Sequence, residues 1–252
     1  MKNLSCRCWR ILYGIIDTRS KEVKVILVSR VLEFKSNGEY VNYRRLKGGD
    51  TEYECFIRAP SELSIEPVVP LFIPKNITHH ILIELENPIT IPADSKIEGY
   101  TTIPVDIAVF SIKNDNYKMV DVFSESKVKY ALYGPKDEGI IARYYKSRFH
   151  ISSRKPKDYM EALLPLDITN SYNNWVKLRY ILLDGTMLHL YYRSRDGTAY
   201  TRRIKIMITS ETTATIDYER KGLVEGFREA RQPLRLGVFM HVPRKTEMMW
   251  GI

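Results

Sequence analysis

Basic and tyrosine side chains flank a short loop near the middle of the chain, and their types suit the binding of a polyanion. Lys127 and Lys129 precede the loop GPKDEG, and Tyr144, Lys146 and Arg148 follow it. Because side chains alternate between the two faces of a strand, these five would share one face if the flanking segments pair. Such a surface attracts phosphates and can stack bases on tyrosine. The competing interpretation is an ordinary solvated sheet face, on which basic residues discourage edge pairing.

Arg143 breaks the pattern of the second flanking segment, because it shares the otherwise apolar face of Ile141 and Tyr145. A second charge in an apolar setting is Asp106, in the strand-like run IPVDIAVF. A buried carboxylate has a raised pKa and can serve catalysis. Two interpretations stay open. Arg143 is either a structural residue buried against an acid or a residue that lines a cleft and marks a site.

Motifs for the commoner kinds of catalytic chemistry are missing from the sequence. GPKDEG lacks the Lys-Ser/Thr of a phosphate-binding loop and precedes a strand-like run rather than a helix. The histidines and cysteines show none of the paired spacings of zinc sites, and no G-x-S-x-G sequence is present. We therefore expect no metal and no cofactor. Enzymatic activity stays open, but it is the less favoured class.

Strand patterns and turn signals run along nearly the whole chain, so an all-β fold must position these residues. Asn37-Gly38 and the run KGGD at 47–50 are typical hairpin turns. Short strands separated by such turns, with little helical periodicity, are typical of sandwiches and barrels. We predict two β-sandwich-like antiparallel domains with few short helices. The domains span residues 1–151 and 152–252 and meet at the polar run SSRKPKD.

Four stretches give more specific local predictions. The run VKVILVSRVLEF, residues 23–34, predicts one continuous strand. Prolines at 60, 67, 70 and 74 predict an extended connection at a sheet edge rather than a central strand. Asp-Gly pairs at 184–185 and 196–197 predict a three-stranded antiparallel meander. The run KGLVEGFREARQ, residues 221–232, is the best helix candidate near the end of the chain.

The length and composition are those of an ordinary globular protein in which basic residues outnumber acidic ones. The 252 residues are 44% hydrophobic and 27% charged, with a formal net charge of +9. This charge permits contact with nucleic acid without establishing it. Cys6, Cys8 and Cys55 predict reduced thiols. No apolar run is long enough for a membrane span, so we expect a cytoplasmic protein.

Two further features of the composition concern habitat and assembly. A single glutamine, Gln232, among many charged residues is typical of proteins from thermophiles. The C-terminal run EMMWGI is an exposed apolar end unless it docks on the chain, and an exposed end of this kind would join two copies in a homodimer.

The stretch VFSESKVKYALYGPKDEGIIARYY resembles an archaeal family that is classed only as a domain of unknown function. IEPVVPLFIP and NPITIPADSK before it, and LDITNSYNNWVKL after it, extend the resemblance over most of the chain. Its most recognisable part is the Tyr-Gly-Pro loop followed by Gly139 and Arg143. The resemblance implies an archaeal origin and supplies no catalytic residue.

Three functional hypotheses are open at this point. The first is a non-enzymatic binding or interaction protein with an unknown protein partner. The second is a nucleic-acid or polyanion binder that uses Lys127, Lys129, Lys146 and Arg148. The third is an enzyme with a cleft between the domains, around Asp106 and Arg143.

Overall fold

Twenty strands in four hydrogen-bonded sheets make up the computed structural model, which describes residues 13–17, 21–58, 62–74, 77–114, 116–194, 197–219, 226–233 and 245–252. The predicted all-β class is confirmed. Within these ranges the one helix is a 3₁₀ turn, Gly185–Met187. None of the described residues forms a helix long and apolar enough to cross a membrane.

The strands are numbered in chain order. Those of the first half are β1 (Gly14–Ile16), β2 (Glu22–Ile26), β3 (Arg30–Ser36), β4 (Tyr40–Lys47), β5 (Asp50–Arg58), β6 (Glu62–Val68), β7 (His80–Ile91), β8 (Ser95–Pro104), β9 (Asp106–Lys113), β10 (Asn116–Phe123), β11 (Tyr130–Tyr133) and β12 (Ile140–Ser147). Those of the second half are β13 (Glu161–Asn170), β14 (Val176–Asp184), β15 (Leu190–Tyr192), β16 (Ala199–Thr201), β17 (Ile204–Ile208), β18 (Ala214–Tyr218), β19 (Arg228–Glu229) and β20 (Lys245–Met248).

The N-terminal sheet is an antiparallel meander of β2, β3, β4 and β5 in chain order. Its turns follow the sequence, since Gly38 and Gly48-Gly49 adopt the positive φ that these hairpins require. The predicted single strand over residues 23–34 is wrong, because the chain turns back between β2 and β3. The Leu27 amide donates to the Arg30 carbonyl at 2.9 Å and closes that turn.

A second four-stranded sheet has the order β1-β6-β9-β10. The proline-rich stretch therefore contributes β6 to the sheet interior, and its assignment to a sheet edge is wrong. Pro67 lies opposite Ile107 of β9, and within the described residues β1 pairs with Leu63–Ile65 and does not extend to the proline.

The central sheet has the order β11-β12-β7-β14, and the large sheet contains the remaining eight strands. Antiparallel pairs dominate, but β12 runs parallel to β7, and β16 and β17 run parallel to β13. The predicted meander after β14 is wrong in its first turn. Asp184 does not close a hairpin but caps the 3₁₀ turn, where its side chain accepts from the Thr186 amide at 2.8 Å. This turn carries the chain from the central sheet into the large one.

Two pairings cross the predicted domain boundary at residues 151 and 152. β8 pairs with β13 over ten residues, and β7 pairs with β14. One continuous cluster of buried apolar side chains includes Val25, Val109, Ile83 and Ile206, which come from the four different sheets. The division into two domains stays a prediction, and these shared sheets are a physical reason to expect the halves to unfold together.

The two ends of the chain bear on three predictions. Residues 228 and 229 form β19 rather than the predicted helix, and residues 220–225 lie outside the described ranges. The C-terminal run is docked on its own chain, because Met248 is buried and Tyr133 donates through its hydroxyl to the Gly251 carbonyl at 2.7 Å. Met249 of the same run is exposed, and the homodimer through this run stays a prediction. Cys6 and Cys8 lie outside the described residues, and Cys55 is a free, half-buried thiol.

Candidate functional site

The loop GPKDEG closes a hairpin between β11 and β12, as the sequence predicts. The two strands pair antiparallel with Tyr130 opposite Arg143. Gly134 has a φ of 101°, a value that favours glycine, and the Gly139 amide donates to the Pro135 carbonyl at 2.7 Å. The glycines therefore serve the backbone of the turn.

The hairpin divides the predicted site residues between two environments. The residues at the surface are the exposed Lys127, Lys129, Lys146 and Arg148 and the half-buried Tyr144. Arg143 lies on the opposite face of β12 and is only 1% exposed. The predicted grouping is thus consistent with the strand register, but Arg143 does not belong to the same surface.

Acidic side chains from the neighbouring strand β7 interleave with this surface. Lys146 lies beside Glu84 in the register, and the Tyr144 hydroxyl donates to Glu84 Oε2 at 2.6 Å. Arg148 makes an ion pair with Glu86. These hydrogen bonds from Tyr144 and Arg148 lower the pKa of Glu84 and of Glu86, respectively. The basic residues of the hairpin therefore share their face with two ionised carboxylates.

Arg143 is held inside the protein by three groups from different segments. Its Nη2 lies 3.4 Å from Asp106 Oδ1 and donates to Ser124 Oγ at 3.1 Å. Its Nη1 donates to the Ile73 carbonyl at 3.3 Å. A buried guanidinium needs such partners, because an unpaired buried charge is costly. Of the two interpretations of Arg143, the contacts fit a structural residue buried against an acid.

Asp106 starts β9 and is completely buried. Burial raises the pKa of Asp106 to about 6, against the opposing effects of Arg143 and of a hydrogen bond with Ser124. Its Oδ2 has no hydrogen-bond partner among the described residues. The buried ion pair therefore leaves one carboxylate oxygen of Asp106 without a hydrogen bond in the part of the chain that the structure describes. The raised pKa brings the titration of this carboxyl to about pH 6.

A cleft of about 850 Å³ opens between the N-terminal sheet and the connection from β10 to β11. The volume falls in the range of small-molecule sites, but the cleft is wide open to solvent and not an enclosed cavity. The polar side chains that line it are Ser29, Arg30, Arg45, Lys47, Glu52, Ser124, Glu125, Ser126 and Lys127. Asp106 and Arg143 are not among the lining residues, but Ile73 and Ser124 are, and both contact Arg143. The buried ion pair thus supports the floor of the cleft from behind.

The two arginines of the cleft are fixed by carboxylates. Arg30 bonds Glu52 through Nε at 2.6 Å and Glu125 through Nη1 at 3.2 Å, while Arg45 reaches Glu52 at 3.2 Å. The hydrogen bond from Arg30 lowers the pKa of Glu52. Both guanidinium groups also lie over the Phe123 ring, at 5.6 Å for Arg30 and 4.7 Å for Arg45. These ion pairs and ring contacts fix the positions of both arginine side chains along one side of the cleft.

A third carboxylate stands behind Arg45, outside the lining. Asp121 is buried and accepts from Arg45 Nη1 through both oxygens, at 2.8 and 2.7 Å. It also accepts from the Tyr43 hydroxyl at 2.7 Å. Asp121 therefore binds the Nη1 group of Arg45 from the side away from the cleft.

Lys47 and Lys127 differ from the arginines. Both are exposed, line the cleft, and make no ion pair within 4.0 Å in the part of the chain that the structure describes. Lys47 ends β4 beside the Gly48-Gly49 turn, and Lys127 precedes β11. Lys47 is still close enough to Glu52 for its charge to help lower the pKa of that carboxyl. An ammonium that is not held in an ion pair can bind an anion, so these two side chains are the cleft groups best suited to that role.

Sequence reasoning found Lys127 but missed Arg30, Arg45 and Lys47. The last three lie in the N-terminal sheet, some eighty or more positions before Lys127 in the numbering. Their segment shows only the alternation of an ordinary sheet, so no local spacing singles them out. The neighbouring Gly-Gly turn was the one available signal, because it places Lys47 at an exposed strand end.

Comparison with known proteins gives a single finding on relatedness. A family model described as Protein of unknown function (DUF432) matches residues 12–249. No curated protein and no solved structure matches the chain.

Proposed function

This chain belongs to the family described as Protein of unknown function (DUF432), and we propose that it is a non-enzymatic binding protein whose ligand presents an anionic group to the cleft. The observation that carries the proposal is the pair Lys47 and Lys127, two exposed ammonium groups lining a cavity of about 850 Å³. An anion bound by either ammonium would gain a charge-assisted contact without displacing an existing ion pair.

The surroundings of the lysines support binding rather than catalysis. The carboxylates of the cleft, Glu52 and Glu125, are engaged by Arg30, and Glu125 also accepts from the Ser29 amide at 2.6 Å. A general base needs to reach the proton that it removes. Asp106 has a suitable pKa of about 6, but it is buried behind Ser124. Its position suits the support of the cleft floor.

Thermal unfolding in the presence of small anions tests the proposal. The panel contains phosphate, citrate, tripolyphosphate and hexaglutamate, each at the same ionic strength. We expect at least one of them to raise the melting temperature, because a ligand that binds only the folded state stabilises it. The Lys47→Ala/Lys127→Ala variant should lose this gain.

The matched control is Lys113→Ala/Lys177→Ala, which removes two exposed lysines that do not line the cleft. It should respond to anions like the unmodified chain. A panel without any effect, or an effect that survives in the cleft variant, would contradict the proposal.

Nucleic-acid binding through the hairpin is the second candidate. Lys127 supports it, because this residue belongs to both the cleft and the basic surface of the hairpin. Glu84 and Glu86 weaken it, because their charges lie on the same surface. Binding to a single-stranded oligonucleotide that weakens steeply with salt and is lost in Lys129→Ala/Lys146→Ala would favour this candidate.

The composition and the sequence resemblance also bear on where the protein works. We propose a basic cytoplasmic protein of a thermophilic archaeon, since the sequence resemblance implies the archaeal origin and the single glutamine among many charged residues suits a thermophile. Its partner would then be another macromolecule or metabolite of the same compartment.

A further inference from the structure

An apolar row crosses the outer face of the N-terminal sheet, next to the cleft. Ile26, Val31 and Leu46 lie directly opposite one another on β2, β3 and β4. Ile26 is 55% exposed, and Val28 in the adjoining turn is 60% exposed. Val31 and Leu46 are half-buried beside the exposed Ile26, so these apolar side chains adjoin one another instead of standing singly, and contiguous patches of this kind mark contact sites.

The row forms the floor of a groove of about 480 Å³. The charged residues of the groove include Lys24 and Glu33, which lie 2.8 Å apart and neutralise each other. The groove therefore offers an apolar surface beside an ion pair whose two charges cancel. It suits apolar side chains of a ligand rather than a second anionic group.

The groove and the cleft meet at one end of the sheet. Ser29 and Arg30 line both of them, since the β2–β3 turn separates the outer face of the sheet from the inner one. A ligand that passes over this turn would touch the apolar row with one part and the cleft lysines with another. Because the groove and the cleft adjoin, a ligand that fills both must carry apolar and acidic groups within one short stretch.

The free edge of β2 favours a peptide as that ligand. β2 pairs with β3 on one side, and on its other side no strand pairs with it within the described ranges. An unpaired strand edge presents backbone amides and carbonyls that an extended peptide can bind. A nucleic acid or a small anion could use the lysines, but it would leave the apolar row without a partner.

Building on the proposed function, we propose that the occupant is an extended segment of a partner protein that combines acidic and apolar residues. Its apolar side chains cover Ile26, Val31 and Leu46, and its carboxylates reach Lys47 and Lys127 across the β2–β3 turn. The apolar row supplies contact area, while the lysines supply charge complementarity and fix the direction of the segment.

Selection from a phage library of random dodecapeptides on the full chain tests this inference. We expect the enriched sequences to contain acidic and apolar residues in one stretch. A synthetic copy of the best sequence should lose about tenfold or more in affinity, equivalent to about 1.4 kcal/mol, in Lys47→Ala/Lys127→Ala and in Ile26→Ser. Ile26 is exposed, so its replacement leaves the core intact. Lys113→Ala/Lys177→Ala should bind the peptide normally.

Three results would overturn the inference: no enrichment, enrichment of neutral or basic peptides, or an affinity that Ile26→Ser leaves unchanged. A deoxythymidine dodecamer bound more tightly than the peptide, with loss in the lysine variant, would assign the cleft to nucleic acid instead. Sensitivity to the lysine variant without sensitivity to Ile26→Ser would preserve the proposed anionic site and remove only the peptide partner.

Discussion

Arg143 and Asp106 show how much of this fold depends on single side chains. The two residues lie in different sheets, and their ion pair joins β12 to the start of β9. The contact is long, at 3.4 Å, and one carboxylate oxygen has no partner in the described chain. Such a pair specifies an arrangement of strands more than it stabilises them, because desolvation of both charges opposes their attraction.

Replacing one member of the pair should therefore be more harmful than replacing both. We expect Arg143→Met to lower the free energy of unfolding by about 3–5 kcal/mol at pH 8, because Asp106 loses its counter-charge and must either stay buried as an unpaired carboxylate or take up a proton. Arg143→Met/Asp106→Leu should recover much of this loss. Urea denaturation measures both, and a double variant no more stable than the single one would contradict this account.

The raised pKa of Asp106 predicts a specific dependence of stability on pH. Its folded-state pKa of about 6 lies above the ordinary value of 3.8, so the folded protein binds the proton more tightly between those values. Wild-type stability therefore loses about 2 kcal/mol from this group as the pH rises from 4 to 7. Asp106→Asn lacks the titration, so its stability relative to the wild type should rise over this window.

Comparing the two proteins isolates this effect from the other carboxylates. Glu52, Glu84 and Glu86 have lowered pKa values and act in the opposite direction in both proteins. Denaturation curves at pH 4, 5, 6 and 7 give the difference directly. A difference that stays constant with pH would show that Asp106 is not the titrating group.

The hairpin of β11 and β12 connects the middle of the chain to its C-terminal end. Gly134 faces the Trp250 ring, and a Cβ at this position would lie 2.6 Å from that ring. We expect Gly134→Ala to destabilise the protein by about 1–3 kcal/mol from backbone strain, with a further cost from the clash. Gly38→Ala is the matched control, because Gly38 also has a positive φ but open space around it. Equal losses in urea denaturation would refute the contact with Trp250.

Local signals determined which elements could be predicted. The turns at Asn37-Gly38 and Gly48-Gly49 and the hairpin around GPKDEG depend on a few adjacent residues, and all three were predictable. The pairing of β8 with β13 depends on which distant strands meet, and no short stretch encodes that choice. The same reason explains why Lys127 was found and Lys47 was missed. The cleft exists only once the N-terminal sheet packs against the connection after β10.

At the scale of the whole molecule, sheets shared between the two halves predict cooperative unfolding. β8 and β7 pair with β13 and β14 across the predicted boundary at residue 151. We expect a single calorimetric transition, with equal calorimetric and van't Hoff enthalpies. Two resolved transitions would instead support independent domains at residues 1–151 and 152–252.

Lysine footprinting is the most direct test of the central claim that the cleft is the binding site. The chain is acetylated briefly with and without hexaglutamate, and mass spectrometry measures the modification of each lysine. We predict protection of Lys47 and Lys127, because the ligand covers both, while Lys113 and Lys177 react as before. Unchanged reactivity of Lys47 and Lys127 in the presence of bound hexaglutamate would contradict the account.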